Sequence, residues 1–188
     1  MVFYRRKLPH WQPEGAALFV AWRLHGSLPA SVISQQSGKA RTFEEHSTFP
    51  SSRFLLEDQL LDCVNFGPLW LKDPLVAGII EEALRIGEAT LRLYTLCAYV
   101  VMANHVHVLL RPRVPLEKIT ARLKGYTARK ANRILRRTGA RFWQEESYDH
   151  WVRSEEEFSR IVAYIEHNPV NARLVKRPED WPWSSAHK

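Results

Sequence analysis

The stretch that most constrains this chain is Tyr99-Val100-Val101-Met102-Ala103-Asn104-His105-Val106-His107-Val108-Leu109-Leu110. Two histidines one residue apart sit inside an apolar run. In a strand, alternate side chains share a face, so His105 and His107 point the same way while Val106 and Val108 point into a core. Two imidazoles side by side on a sheet make half of a metal site. Taken alone, the spacing favours a half-buried strand with two satisfied histidines, so the rest of the chain has to decide.

The charge is uneven. Net charge is +7 over 188 residues, yet Arg111 to Arg141 holds eleven Lys or Arg against one acid, Glu117. That segment carries +10, which leaves −3 for the remainder. A basic segment on a near-neutral body is the footprint of a polyanion, and nucleic acid is the partner it favours. Cys63 and Cys97 are too few for a disulfide framework or a thiolate zinc site. No signal peptide or membrane-length apolar run is visible, so a cytoplasmic, nucleoid-associated protein with no membrane partner is expected.

In chain order, residues 1–14 read as a basic aromatic arm with Arg5, Arg6, Lys7, His10 and Trp11. Residues 16–24 read as a strand with Phe19, Ala21 and Arg23 on one face. A polar loop or weak helix covers 30–53. A helix follows over 54–64 with the stripe Leu56, Leu60, Leu61, Val64, then a second opening at Asp73-Pro74. Strands over 91–101 and 105–110 form a hairpin. A long basic helix spans 116–135, with Leu116, Ile119, Leu123 and Ile134 inward and Gly125 a point of bending. Residues 147–153 read as a fourth strand, and Ser154-Glu155-Glu156-Glu157 as a capping box opening a last helix that Pro169 stops. The tail, 170–188, reads as a hydrophobic latch. The order β-α-β-β-α-β-α gives one α+β domain over 1–188, a ferredoxin-like antiparallel four-stranded sheet with helices on one face.

In the last helix Phe158, Ile161, Val162 and Ile165 mark the buried stripe. Tyr164 then falls on a shoulder with Asn168 four residues on, and Glu157 on the same side. A phenol and an amide on that flank can face the two imidazoles, giving a metal held by His105, His107 and Asn168 beside a tyrosine. Nitrogen and neutral-oxygen donors without thiolate suit Mg²⁺ or Mn²⁺, with Mn²⁺ the tighter. Such an ion polarises a phosphodiester. Tyrosine is a poor nucleophile at a pKa of about 10. A covalent phosphotyrosine conserves the energy of the broken bond, which a nicking-joining enzyme needs and a hydrolase does not.

These residues resemble a known family, the REP-associated tyrosine transposases of the single-tyrosine HUH endonucleases. The matching pieces are Tyr4-Arg5-Arg6-Lys7-Leu8-Pro9-His10, Gly67-Pro68-Leu69-Trp70-Leu71, Met102-Ala103-Asn104-His105-Val106-His107, Leu123-Lys124-Gly125-Tyr126-Thr127-Ala128, Phe142-Trp143-Gln144, Tyr164-Ile165-Glu166-His167-Asn168-Pro169-Val170 and Trp181-Pro182-Trp183-Ser184-Ser185. They span nearly the whole chain. The departure is Ala103, where the family pattern has Pro. The resemblance implies that His105 and His107 are metal ligands and that Tyr164 is the nucleophile. It also implies that Asn168 stands where related transposases place a polar third ligand. The implied substrate is single-stranded DNA folded into palindromic REP hairpins, cleaved and rejoined through a 5′-phosphotyrosine with no small-molecule cofactor.

Tyr126 follows Lys124-Gly125 and competes for the nucleophile's role, as Tyr148 does more weakly; Tyr164 has the ligand partner at i+4. Arg122, Lys124, Tyr126, Arg129, Lys130, Arg133, Arg136 and Arg137, with Arg5, Arg6 and Lys7 of the arm, are the expected DNA contacts. The alternatives are a non-catalytic ferredoxin-like nucleic-acid binder with a vestigial metal site, and a metal-dependent hydrolase of another phosphodiester. A monomer and a dimer with a shared site both fit the sequence.

Overall fold

The computed structural model describes residues 2–5, 9–12, 15–29, 49–63 and 66–187. Its centre is an antiparallel sheet of β3 (Leu18–Arg23), β4 (Tyr94–Val101), β5 (His105–Pro112) and β6 (Tyr148–Trp151), in the order β4-β5-β3-β6. This is the strand order of the ferredoxin-like fold. β3 and β5 are central and almost wholly apolar, as strands covered on both faces must be. The register sets Ala21 opposite His107 and Arg23 opposite His105.

The two faces bury different sets of residues. Leu18, Val20, Trp22, Val106, Val108 and Leu110 point to one side, under α2 (Pro74–Ala89) and α3 (Leu116–Ile134). Phe19, Ala21, Ala98, Val100 and Leu109 point to the other, under α1 (Ser52–Asp62) and α4 (Glu155–Asn171). The expectation of helices on one face is therefore corrected: helices cover both. β3 and β5 are apolar on both sides and need a second layer. The histidines lie on the α1/α4 side.

α2 begins as the sequence indicates, with Asp73 capping Leu75 N–H at 2.9 Å and Pro74 in the first turn. Gly87 is required where α2 meets β4, because a Cβ there would strike the Tyr94 ring and hydroxyl. β4 begins at Tyr94, not at Leu91, because Arg92 turns the chain with φ 49°. α3 runs unbroken through Gly125. Its inward stripe is Leu116, Ile119, Leu123, Thr127 and Ala131, while Ile134 at its last position is exposed. The polar member, Thr127, is satisfied: its hydroxyl donates to Leu123 O at 2.7 Å and accepts from Trp143 Nε1 at 2.9 Å.

Residues 2–12 are not a bare arm. β1 (Val2–Arg5) and β2 (Pro9–Gln12) pair as an antiparallel hairpin. Arg6 and Lys7 lie outside the described residues, as do 30–48 of the expected loop and Val64 of the expected first-helix stripe. The tail is the latch the sequence suggests. Trp183 O accepts from Val101 N at 2.8 Å, Ser185 N donates to Tyr99 O at 2.9 Å, and Ser184 bridges Val100 along the outer edge of β4. Trp181 Nε1 donates to Val101 O at 3.0 Å.

Candidate metal centre and nucleophile

The sequence reading of α1 needs correcting first, because it hid a site residue. Leu56 and Leu60, two of the expected stripe, are 52% and 38% exposed. The inward face is Phe54, Asp58 and Leu61, at helical spacing i, i+4, i+7. Asp58 is buried, and its Oδ1 lies 3.0 Å from His107 Nε2 and 3.5 Å from His105 Nε2. An acid on the buried stripe of a helix was the available signal, and counting leucines obscured it. Asp62, one turn on, places Oδ1 3.9 Å from His105 Nε2.

His105 and His107 are each 1% exposed, with ring centroids 4.6 Å apart on the same face of β5. His107 is stacked on Phe19 at 5.5 Å. Asn104 precedes them and is buried too; its Nδ2 donates to Leu61 O at 3.0 Å, and its Oδ1 meets His105 Nδ1 at 2.7 Å.

α4 supplies the remaining groups. Its buried residues are Glu157, Ile161, Ile165, Asn168 and Pro169. Ile161 and Ile165 of the expected stripe are buried, Phe158 and Val162 are half-buried, and the buried face extends toward the flank of Glu157 and Asn168, where Tyr164 is half-buried. Its polar residues are buried because they bond to one another and to α1. The Tyr164 hydroxyl donates to Asp58 Oδ2, and Asn168 Nδ2 donates to the same oxygen at 3.2 Å. The Tyr164 ring lies 5.9 Å from that of His107. Pro169 does not stop α4, which continues to Asn171; Ala172 N–H returns to Asn168 O at 2.9 Å. The capping box forms by half. Ser154 accepts from Glu157 N at 3.1 Å, but the Glu157 carboxylate turns to His150 Nε2 at 2.9 Å and Arg153 N at 2.7 Å.

Burial governs the charges. Desolvation, helped by His107, pushes His105 down to about 3, so its ring is neutral. Burial alone would raise Asp58, but His107, His105 and the Tyr164 hydroxyl outweigh it and hold the carboxyl well below its usual range. Burial and then the charge of Asp58 push Asp62 up to about 8. Burial, then Asp58, also raises the Tyr164 hydroxyl far above an ordinary phenol.

Five buried polar atoms in this cluster have no hydrogen-bond partner: Asp62 Oδ1, His105 Nε2, both ring nitrogens of His107 and Asn168 Oδ1. The ligand atoms of Asp58, His105 and His107 lie within 4.8 Å of one another. Ring nitrogens and oxygens gathered this closely fit a divalent cation, and two imidazoles with oxygen donors suit a first-row or alkaline-earth ion. Arg23 stands opposite His105 on the same face, its Nη1 donating to Ser27 Oγ at 3.3 Å.

Tyr126 lies on α3, packed against the opposite core, and so the sheet separates it from the histidines. Tyr148 is nearer, stacked on Phe54 at 4.5 Å, while the tyrosine hydroxyl bonded to Asp58 is that of Tyr164. Of the expected DNA contacts, Arg122, Arg129, Lys130, Arg133 and Arg136 are exposed. Lys124 is engaged internally, on Glu145 O at 2.7 Å and Ser147 Oγ at 3.2 Å, and the Arg137 guanidinium lies 3.5 Å over the Trp70 ring. The side chain of Arg5, in β1, is not among those described.

Residues 79–168, which include both histidines, Tyr164 and Asn168, match the IS200-like transposase family, Y1_Tnp. The chain is 37% identical over 46 residues to the REP-associated tyrosine transposase of Escherichia coli, and 35% identical over 46 residues to a Haemophilus influenzae protein carrying the same family name. Each match covers 24% of this chain, and 28% and 26% of those relatives. A solved REP-associated tyrosine transposase bound to a REP hairpin shares the fold, with TM-score 0.53 and 19% identity over 100% of this chain and 84% of that one. The chain is thus similar to the IS200-like transposases over just under half of its length, and it spans about a quarter of the REP-associated relatives it matches. Among the described residues, no helix is long and apolar enough to cross a membrane.

Proposed function

We propose that this single domain is a DNA nicking-joining enzyme acting on palindromic, REP-like hairpins of single-stranded DNA through Tyr164. The observation that carries the reading is the convergence of His105, His107, Asp58 and Asn168 beside the Tyr164 hydroxyl within one chain. That convergence within one chain supports a monomer that carries both halves of the site. Asp58 and the two histidines are the ligands of a Mg²⁺ or Mn²⁺ ion, and the unpaired Asn168 Oδ1 is a fourth donor. A bound ion supplies Lewis-acid charge at the scissile phosphate and offsets the carboxylates that raise the phenol.

The protein's own groups do the rest. Asp58 Oδ2 accepts the phenolic hydrogen and so aims the Tyr164 oxygen. That oxygen attacks phosphorus, the P–O3′ bond breaks, the phenolic proton passes by way of the Asp58 carboxylate to the departing O3′, and the 5′ phosphate stays on Tyr164 while the upstream fragment leaves with a free 3′ hydroxyl. The ester keeps the bond energy for rejoining. Arg23 is placed to meet a phosphate oxygen, and the exposed arginines of α3 hold the backbone without reading sequence. Such an enzyme works in the cytoplasm, on nucleoid DNA.

The test is a labelled hairpin oligonucleotide with Mn²⁺, scored for an adduct that survives denaturation. Wild type, Tyr126→Phe and Tyr148→Phe form it; Tyr164→Phe and His105→Ala do not. An adduct on Tyr164→Phe refutes the assignment. Tight hairpin binding without any adduct, unaffected by EDTA, favours the binding module instead.

A further inference from the structure

Asn104 is a buried residue that the proposed chemistry leaves unused. Its amide is oriented without ambiguity. Leu61 O only accepts, so the amide nitrogen must face it, as the 3.0 Å contact requires. The oxygen Oδ1 is then left 2.7 Å from His105 Nδ1. An amide oxygen only accepts as well, so Nδ1 must carry a hydrogen. The opposite tautomer would set two bare acceptors against each other in a buried space, at the cost of an unmade hydrogen bond. With Nδ1 protonated, a neutral His105 ring presents a bare lone pair at Nε2, 3.5 Å from Asp58 Oδ1. The same amide touches α1 three residues after Asp58, joining the strand with one ligand to the helix with another. Its backbone is fixed too: Leu24 N donates to Asn104 O at 2.8 Å.

We propose that Asn104 is a positioning residue for the metal: it locks His105 as the Nδ1–H tautomer. The inference rests on the metal reading above. Partners of this kind orient a ligating histidine and are worth roughly 10- to 100-fold in metal affinity.

Two measurements test it. Long-range ¹H–¹⁵N correlation on the metal-free protein reads the His105 tautomer directly, with no variant needed. The expected result is Nδ1–H; an Nε2–H ring or an imidazolium overturns the proposal. Mn²⁺ titration then compares Asn104→Asp, which keeps the acceptor facing Nδ1, with Asn104→Ala, which removes it. Asn104→Ala should lose roughly 10- to 100-fold in Mn²⁺ affinity while Asn104→Asp stays within about threefold of wild type, though both lose the bond to Leu61. Equal losses in the two variants, or none in either, overturn the proposal and leave Asn104 as a turn residue alone. An Nδ1–H ring in a wild-type protein that takes up no Mn²⁺ supports the lock and refutes the metal reading.

Discussion

Asp58→Asn separates metal binding from folding. The amide matches the carboxylate in shape, so the substitution removes a charge and adds two hydrogens. One orientation satisfies the whole cluster. The amide oxygen replaces Oδ2, accepting from the Tyr164 hydroxyl and from Asn168 Nδ2 at 3.2 Å. The NH₂ replaces Oδ1 and faces His107 Nε2 at 3.0 Å and His105 Nε2 at 3.5 Å, each an acceptor when its neutral ring carries the hydrogen on Nδ1. The metal-free variant should therefore melt within about 1 kcal/mol of wild type, because as many hydrogen bonds are made as are lost. Metal binding should be abolished, since an NH₂ group donates where a ligand must accept. With Mn²⁺ at about 100 times its Kd, wild type gains about 2.7 kcal/mol. For a domain of this size that is roughly 5 to 11 °C in Tm. Asp58→Asn should show no such shift in a thermal melt with and without Mn²⁺. A variant that keeps the full shift refutes Asp58 as a ligand. If Asn168→Ala abolishes the shift instead, the ligand set is the one the sequence alone suggested.

Two opposed groups of the site contribute to the pH dependence of metal-free stability, and buried His150, lowered by desolvation, adds to the rise below its ordinary value. His105, held at about 3 against an ordinary 6.5, makes stability rise with pH between those values, because the unfolded chain binds the extra proton. Asp62, held at about 8 against 3.8, makes it fall between those values, because the folded chain keeps the proton. The two slopes cancel between about pH 4 and 6.5, and stability declines from 6.5 to 8. In urea melts Asp62→Asn should rise from pH 4 to 6.5 and then stay level; an unchanged profile counts against the assignment. Replacing Arg122, Arg129 and Arg133 together by Ala should flatten the slope of log affinity for the hairpin against log salt by about 2 to 3, and an unaltered slope removes α3 from the interface. Glu157→Gln breaks the buried contact to His150 and should cost about 1–3 kcal/mol in thermal melts, with the Mn²⁺ shift intact.

How much was legible in the sequence depended on periodicity. The period-2 run through Val106 and Val108 placed His105 and His107 on one face, and the i+4 spacing placed Asn168 above Tyr164; both hold. The failures share a cause. Apolar counting assigns the buried face of a helix to its leucines and valines. In α1 and α4 that face is decided by polar groups which satisfy each other across the site. Asp58 and Asn168 are buried because they share hydrogen bonds, and no single-element pattern reveals a partner 110 residues away. The second helical layer was hidden for a related reason, because a strand apolar on both sides does not say which helix will cover which face.

The tail along β4 has a consequence for the protein's behaviour in concentrated solution. An uncovered edge strand offers unpaired N–H and C=O groups to any extended chain that passes. Here Tyr99 and Val101 have those groups occupied by Trp183 and Ser185 of the same molecule. Truncation before Trp181 would remove none of Asp58, His105, His107, Tyr164 or Asn168, yet it would open β4 as a template for strand addition between molecules. The expected loss is solubility, visible as time-dependent light scattering, well before any loss of nicking by the protein that stays dispersed.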